Sequence, residues 1–406
     1  ERLASVEDVL QQSVQDQMVS DVPLGAFLSG GIDSSLIVAL MQKVSAQPVK
    51  TFTIGFNDTA FDESVQAREV AKHLKTDHTE MILEPKDIMD VVPELPNIYS
   101  EPFADSSQLP TFLVAKLARQ SVTVALSGDA GDEVFAGYNR YLSAYQTWKK
   151  ASKIPSVVRS GLARTALSRS PAFWDKAFDT LSPVIPKKLH VRTPGDKAHK
   201  LAGVLSLDRG EDFYAKLTNV CHTPETLLLH DAELPALVSR PEDWPECAQF
   251  QHVMMAVDFK TYMVDDILVK VDRAAMASSL ETRAPFLDHR VVAKAWSLPF
   301  DFKAREGVGK WPLRQILYKY VPQELIDRPK MGFGIPVGEW MRGPLREWAE
   351  EQIDPERLRR EKIFNPEAVA EIWAQHLSGD RNWQHVLWNI FMFQAWQAKV
   401  HPNGLS

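Results

Sequence analysis

The seven residues Ser29-Gly30-Gly31-Ile32-Asp33-Ser34-Ser35 constrain this chain more than any other stretch. They follow the short apolar run Leu24 to Leu28, a buried-strand candidate, and lead into helical spacing from Asp33 to Lys43. A strand that turns through two glycines into a helix leaves unpaired backbone N–H groups at the helix N-terminus, and the glycines let a ligand approach them closely. Such a turn is an anion cradle. Ser29, Ser34 and Ser35 add hydroxyl donors, which suits a pyrophosphate better than a singly charged group. Asp33 would repel a phosphate unless a cation lay between them, so its presence implies Mg²⁺, a hard ion that takes one or two carboxylates together with phosphate oxygens. Taken alone, the same residues also fit a plain N-capped turn. A Walker-type loop, G-x-x-x-x-G-K-[ST], does not occur in the sequence.

A second loop of the same kind strengthens the first. The apolar run Val122 to Leu126 leads into Ser127-Gly128-Asp129-Ala130-Gly131-Asp132-Glu133, again a strand, a small-residue loop and a helix start, now with three carboxylates within five residues. Acids so close repel one another unless a cation or cationic substrate lies among them. Between and around the two loops, strand and helix patterns alternate: a strand from Val49 to Phe56, a helix from Asp62 to Leu74, a strand from His78 to Leu83, a mostly helical stretch from Lys86 to Tyr99 and a helix from Gln108 to Gln120. This is how a parallel α/β sheet reads, and such sheets bind ligands beyond the carboxyl ends of their strands. Residues 1–145 therefore form the expected α/β core. Residues 146–250 read as a helical insertion, and residues 251–406 as a helical C-terminal part that completes the site, with helical spacing running from Val253 to Leu280. The tryptophans near the end, Trp383, Trp388 and Trp396, read as core packing.

Composition narrows the partners. A net charge of −7 argues against nucleic acid, which selects a basic surface. Two cysteines, Cys221 and Cys247, lack the spacing of a zinc site and suit a reducing compartment, and no apolar run has the length of a membrane helix. A cytoplasmic protein is the expectation, compatible with a homodimer.

Four segments together carry a resemblance: SGGIDSS; Glu101-Pro102-Phe103-Ala104-Asp105-Ser106-Ser107; the loop from Leu126 to Tyr141; and the stretch from Ile267 to His289. In this order they resemble the synthetase domain of glutamine-dependent asparagine synthetases, a domain shared with β-lactam synthetases, lasso-peptide cyclases and polysaccharide-pathway amidotransferases. Segments near Met331 to Pro336 and Trp340 to Leu345 are similar to the bacterial branch. The resemblance implies an ATP-pyrophosphatase core, like that of adenine nucleotide α-hydrolases, in which ATP and Mg²⁺ turn a carboxylate into an acyl-adenylate and ammonia displaces AMP. It implies that Ser29, Gly30, Gly31, Asp33, Ser34 and Ser35 hold pyrophosphate, that Asp33 and Asp132 hold Mg²⁺, and that Leu28, Ile54, Ser127 and Gly128 contact the adenosine part. Asp129 matches an acidic position that orients or deprotonates the incoming nitrogen, and in some relatives that position is Glu. Lys310 matches a lysine that stabilises charge in both half-reactions, and Lys260 is a weaker match to a phosphate-contacting lysine. Arg283 and Asp288, in the segment from Ile267 to His289, are expected to organise the domain interface as readily as to touch substrate, and His289 reads as structural.

Aspartate is the first acid to expect. Full-length members carry an N-terminal glutaminase domain with a catalytic Cys, and this chain opens at Glu1 inside an amphipathic pattern. The expectation is a synthetase part fed with ammonia by a glutaminase domain in a longer chain or in a partner. Three other readings stand beside it: an enzyme that closes a lactam ring or amidates another acid, a non-catalytic nucleotide-binding scaffold, and a nucleobase-modifying pyrophosphatase.

Overall fold

A computed structural model describes residues 1–56, 62–181, 195, 198–199, 202–203, 207–230, 236–327 and 335–401. The part of the Met331 to Pro336 motif that spans 331–334 lies outside the described residues. The chain divides into two compact units, one of residues 1–142 and 245–336 and the other of residues 143–244 and 337–406.

The first unit is built on five parallel strands, β1 (Leu24–Phe27), β2 (Lys50–Phe56), β3 (Asp77–Leu83), β4 (Val124–Leu126) and β5 (Glu281–Arg283), in the order β3-β2-β1-β4-β5. Strands β1 and β4 read as short apolar runs and β4 is wholly buried, while β2 is buried from Thr51 to Gly55 on both faces although its threonines alternate with Phe52 and Ile54. The fold class is therefore the expected parallel α/β. Helix α1 (Arg2–Gln17) buries Val6, Leu10 and Val14, one stripe at a spacing of four, while α2 (Ile32–Val44) is buried on every side from Ser34 to Met41. Helices α3 (Ser64–Leu74) and α4 (Gln108–Arg119) follow the predicted spans to within two residues.

The chain runs outward from β1 to β2 to β3, then returns to the other side of β1 as β4. Neighbouring connections thus leave β1 and β4 in opposite directions, the switch point at which open α/β sheets hold their ligands. The register Ala26↔Leu126 sets the carboxyl ends of the two strands side by side, so that Ser29–Ser35 and Ser127–Glu133 face one crevice.

Strand β5 departs from the sequence expectation. The sequence reads as helical through this region, and Glu281-Thr282-Arg283 give no strand signal of their own because three residues are too few to show alternation. Pairing with β4 creates the strand, with Leu126 opposite Arg283 and the Ser127 N–H donating to the Arg283 carbonyl at 2.8 Å. The helix predicted across this region is also divided, into α6 (Phe250–Lys260), a π-helical turn at Met263–Leu268 and α7 (Val269–Ala277).

The second unit is helical. Trp388 is 1% exposed in the helix Gln384–Val400, and Trp348 and Trp373 pack on it or on its neighbour Phe391, so the C-terminal aromatic residues around Trp388 form core. Buried His376 faces the Gly338 carbonyl at 3.0 Å, while the Arg342 guanidinium donates to the His376 carbonyl at 2.7 Å. Among the described residues no helix is long and apolar enough to cross a membrane.

Candidate active site

Beyond the carboxyl ends of β1 and β4 lies a cavity of about 720 Å³. Its floor is the step from β1 into α2. Gly30 takes φ 71°, Gly31 is the N-cap, and the Ser29 and Ser34 hydroxyls lie 3.0 Å apart, with the Ser29 N–H donating to Ser34 Oγ at 3.2 Å. The serines are thereby held at the positive end of a 13-residue helix. Gly128 lets the second loop close on the first: a Cβ there would stand 2.7 Å from the Ser34 nitrogen.

The acidic loop leads into the short helix α5 (Gly131–Val134), and Ala130 and Ala136 on either side of it both have positive φ, at 71° and 59°. Lys310, which precedes α8 (Trp311–Leu317), is the third non-glycine residue of the site in this region, at φ 57°. Such conformations cost of order 1–3 kcal/mol each and cluster where function over-determines the backbone. Lys310 Nζ binds Asp33 Oδ2 and lies 2.7 Å from Asp132 Oδ1. Burial alone would push this lysine's pKa down, but Asp132 and Asp33 hold it above the ordinary value, so the ammonium stays charged.

A second charged group lines the cavity away from the α2 N-terminus. Lys270 Nζ is 2.7 Å from Asp105 Oδ2 and 2.9 Å from Ser107 Oγ. Burial would raise the Asp105 pKa, yet the Lys270 ammonium keeps it below the ordinary value. Asp266, beside it, is pushed up to about 7, first by burial and then by the Asp105 charge. Burial likewise raises Asp129 and takes Glu133 to about 7, although Glu133 accepts a hydrogen bond from Tyr138 at 2.6 Å. Arg140 sits 4.1 Å from the centre of the Tyr138 ring and donates to buried Asp258 at 2.7 Å.

Of the residues singled out in the sequence, Leu28, Ser29, Gly30, Gly31, Asp33, Ser34, Ile54, Ser127, Gly128, Asp129, Asp132 and Lys310 all line this cavity. Ser35 lies behind the lining, fully buried, with its N–H donating to the Gly31 carbonyl. Lys260 is not brought together with the others: it ends α6 as an exposed residue, outside the lining. Arg283 donates to the Gln17 and Val19 carbonyls, and Asp288 binds Arg290, which reaches Asp16, so both residues fasten α1. His289 is 92% exposed in its side chain.

A family model described as asparagine synthase matches residues 5–398. The chain belongs to the asparagine synthase family. Its relatives include glutamine-hydrolyzing asparagine synthetase 1 of Bacillus subtilis (strain 168), 30% identical over 402 residues, and a putative glutamine-hydrolyzing asparagine synthetase of Mycobacterium tuberculosis (strain ATCC 25618 / H37Rv), 31% identical over 406 residues. These alignments cover 97% and 98% of this chain and 58% of each relative, so the chain spans little more than half the length of the curated relatives it matches. A more distant relative, the glutamine-hydrolyzing asparagine synthetase of Gallus gallus, is 21% identical over 428 residues. The asparagine synthase family domain is of the ATP-pyrophosphatase type, in keeping with the parallel sheet and its paired loops.

Within this synthase domain the sequence reading passed over Lys270, Asp266, Glu133 and Tyr138 as individual site residues. Lys270 sits among apolar neighbours in a helical stretch, and its own spacing gives no sign of a site residue. Asp105 and Lys270 each belong to a segment that carries the resemblance, but only the fold shows them as partners. Two π-helical turns, Met263–Leu268 and Arg140–Ala144, flank the site, and such turns mark functional positions often, although they leave no trace in hydrophobic spacing.

Proposed function

We propose that this chain activates a carboxylic acid with ATP as an acyl-adenylate and passes the acyl group to ammonia, with aspartate as the acid and asparagine as the product. The observation that carries this reading is the convergence of Asp33, Asp132 and Lys310 on the N-terminus of α2, with Asp129 in the same cavity.

The acid's oxygen attacks the α-phosphorus of ATP, pyrophosphate leaves, and ammonia then displaces AMP from the acyl carbon. The chain's own groups meet the charge that develops. The N–H groups of α2 and the serine hydroxyls hold the departing pyrophosphate, and Lys310 supplies a positive charge in a largely buried site, where such charges act most strongly. Asp129, whose carboxyl is raised by burial, lines the same cavity and accepts a proton from the incoming nitrogen or orients it. Asp33 and Asp132 would hold Mg²⁺. They fit it because their two carboxylates already converge on one cation, and a hard divalent ion takes one or two carboxylates together with phosphate oxygens. When bound, the metal neutralises charge on the pyrophosphate.

Exchange of labelled pyrophosphate into ATP, dependent on L-aspartate, tests the adenylation step. Exchange with another acid but none with aspartate would reassign the acceptor to a ring-closing or polysaccharide-amidating type, and no exchange with any acid would favour a scaffold.

A second expectation concerns nitrogen. The 406-residue chain should form amide with ammonium and none with glutamine, which we assign to a glutaminase domain outside these residues. Glutamine-supported turnover by the pure chain would overturn that assignment. The two thiols, free in the structure, suit a reducing cytoplasm.

A further inference from the structure

The Lys310 ammonium lies between carboxylates from two different loops, Asp33 after β1 and Asp132 after β4, and its side chain is only 5% exposed. Several features fix it there. Its own backbone is left-handed, at φ 57° and ψ 28°, and its N–H donates to the Phe135 carbonyl at 3.0 Å. Its stem crosses Gly137, where a Cβ would overlap both the Asp132 carboxylate and Lys310 Cε. On the preceding residue, Gly309, a Cβ would overlap the Ala136 carbonyl. The backbone on both sides is thus shaped to the lysine in this one position. Asp33 and Asp132 would repel each other across the crevice, and the ammonium offsets that repulsion.

These are the two carboxylates that the acyl-adenylate reading gives to the metal, and the present inference rests on that reading. A divalent ion and an ammonium placed together between two carboxylates would bring three positive charges against two negative ones in a poorly solvated space. We propose that Lys310 is the resident counter-cation of Asp33 and Asp132, and that a divalent metal reaches this pair only by exchanging with the Lys310 ammonium. A polyphosphate makes the exchange favourable because it carries its own negative charge, ligating the metal and giving the displaced lysine a new partner. The lysine has four rotatable side-chain bonds and already lines the cavity, so the exchange needs no domain movement. Metal and polyphosphate must then bind with strong mutual coupling, each raising the affinity of the other.

The probe is Mn²⁺, followed by electron paramagnetic resonance on the whole chain, with inorganic pyrophosphate as the second ligand. Wild-type protein is expected to bind Mn²⁺ weakly alone and at least about 10-fold more tightly with pyrophosphate, within the usual range of coupling between sites. Lys310→Met and Lys310→Gln should bind Mn²⁺ without pyrophosphate at least about 10-fold more tightly than wild type, a difference of about 1.4 kcal/mol. Adding Asp132→Asn to either variant should abolish the gain. Equal Mn²⁺ affinity in wild type and both variants overturns the exchange but leaves the acyl-adenylate reading standing. No Mn²⁺ binding by wild type even with pyrophosphate overturns both. Should the variants fail to fold, thermal melting of the wild type decides: Mg²⁺ alone should leave the melting temperature unmoved and Mg²⁺ with pyrophosphate should raise it. An equal rise with Mg²⁺ alone overturns the exchange.

Discussion

Lys310→Met is expected to lower aspartate-dependent ATP–pyrophosphate exchange by about 10³-fold, the scale on which a preorganised charge stabilises a transition state in a water-poor site. The loss should fall on kcat more than on the KM for ATP, because the N–H cradle of α2, the serine hydroxyls and the cavity-lining Leu28 and Ile54, proposed to hold ATP, remain. The same substitution removes the cation from two partly buried carboxylates, whose side chains are 17% and 20% exposed. Taking one partner from such a cluster destabilises a fold by about 3 kcal/mol. Activity and stability therefore both fall, while affinity for a bare divalent ion rises. Chemical denaturation in the presence and absence of Mg²⁺ separates these effects, since the metal should restore to the variant part of the stability that the lysine supplied. Exchange reduced less than about 10-fold would remove Lys310 from charge stabilisation.

The two loops proposed to take phosphate were legible in the sequence because their chemistry is local. Two strand-to-helix turns, each rich in Gly and Ser and each carrying a carboxylate, declare their anion-binding geometry within seven residues, and the alternation of strands and helices places both at carboxyl ends. Lys310 was reached by family resemblance, and its contact with Asp33, 277 residues away, follows only from the fold. The other end of the cavity was not legible in the same way. Lys270 and Asp105 are 165 residues apart, and nothing in the spacing around either announces the partner. Strand β5 was missed for a related reason: three residues acquire strand structure by pairing with β4 rather than by their own pattern. Lys260, a weaker match that lies outside the segments carrying the resemblance, stands exposed at a helix end, where a basic side chain suits the helix dipole without any ligand.

Lys303→Met is expected to stabilise the protein, and by more at neutral pH than in alkali. Lys303 is fully buried, its Nζ has no hydrogen-bond partner among the described residues, and it stands 4.7 Å from the centre of the Trp296 ring. The His252 ring packs against Trp296 and Phe300 in the same cluster. Burial pushes Lys303 from 10.5 down to about 7, and burial followed by the Lys303 charge pushes His252 from 6.5 to about 4. Between pH 7 and 10.5 the unfolded chain therefore holds a proton on Lys303 that the native chain has released, and stability rises with pH across that window. Below pH 7 both states are protonated, and the native state carries the full cost of a buried cation, at most roughly 4–5 kcal/mol and reduced by its contact with the Trp296 face. Methionine fills the same volume without a charge, so the gain should be about 3 kcal/mol at pH 6 and fade towards pH 10.5. Below pH 6.5 the wild type loses further stability as His252 resists protonation, and the variant should lose less because the neighbouring charge is gone. Urea denaturation of both proteins from pH 5 to pH 10 measures all of this. A stability difference that stayed constant over that range would mean that Lys303 keeps its proton in the native state, with the Trp296 ring compensating for its burial. Because Lys303 is not among the residues that line the cavity, exchange activity at pH 8 should be unchanged in the variant, which keeps the stability effect separate from the chemistry.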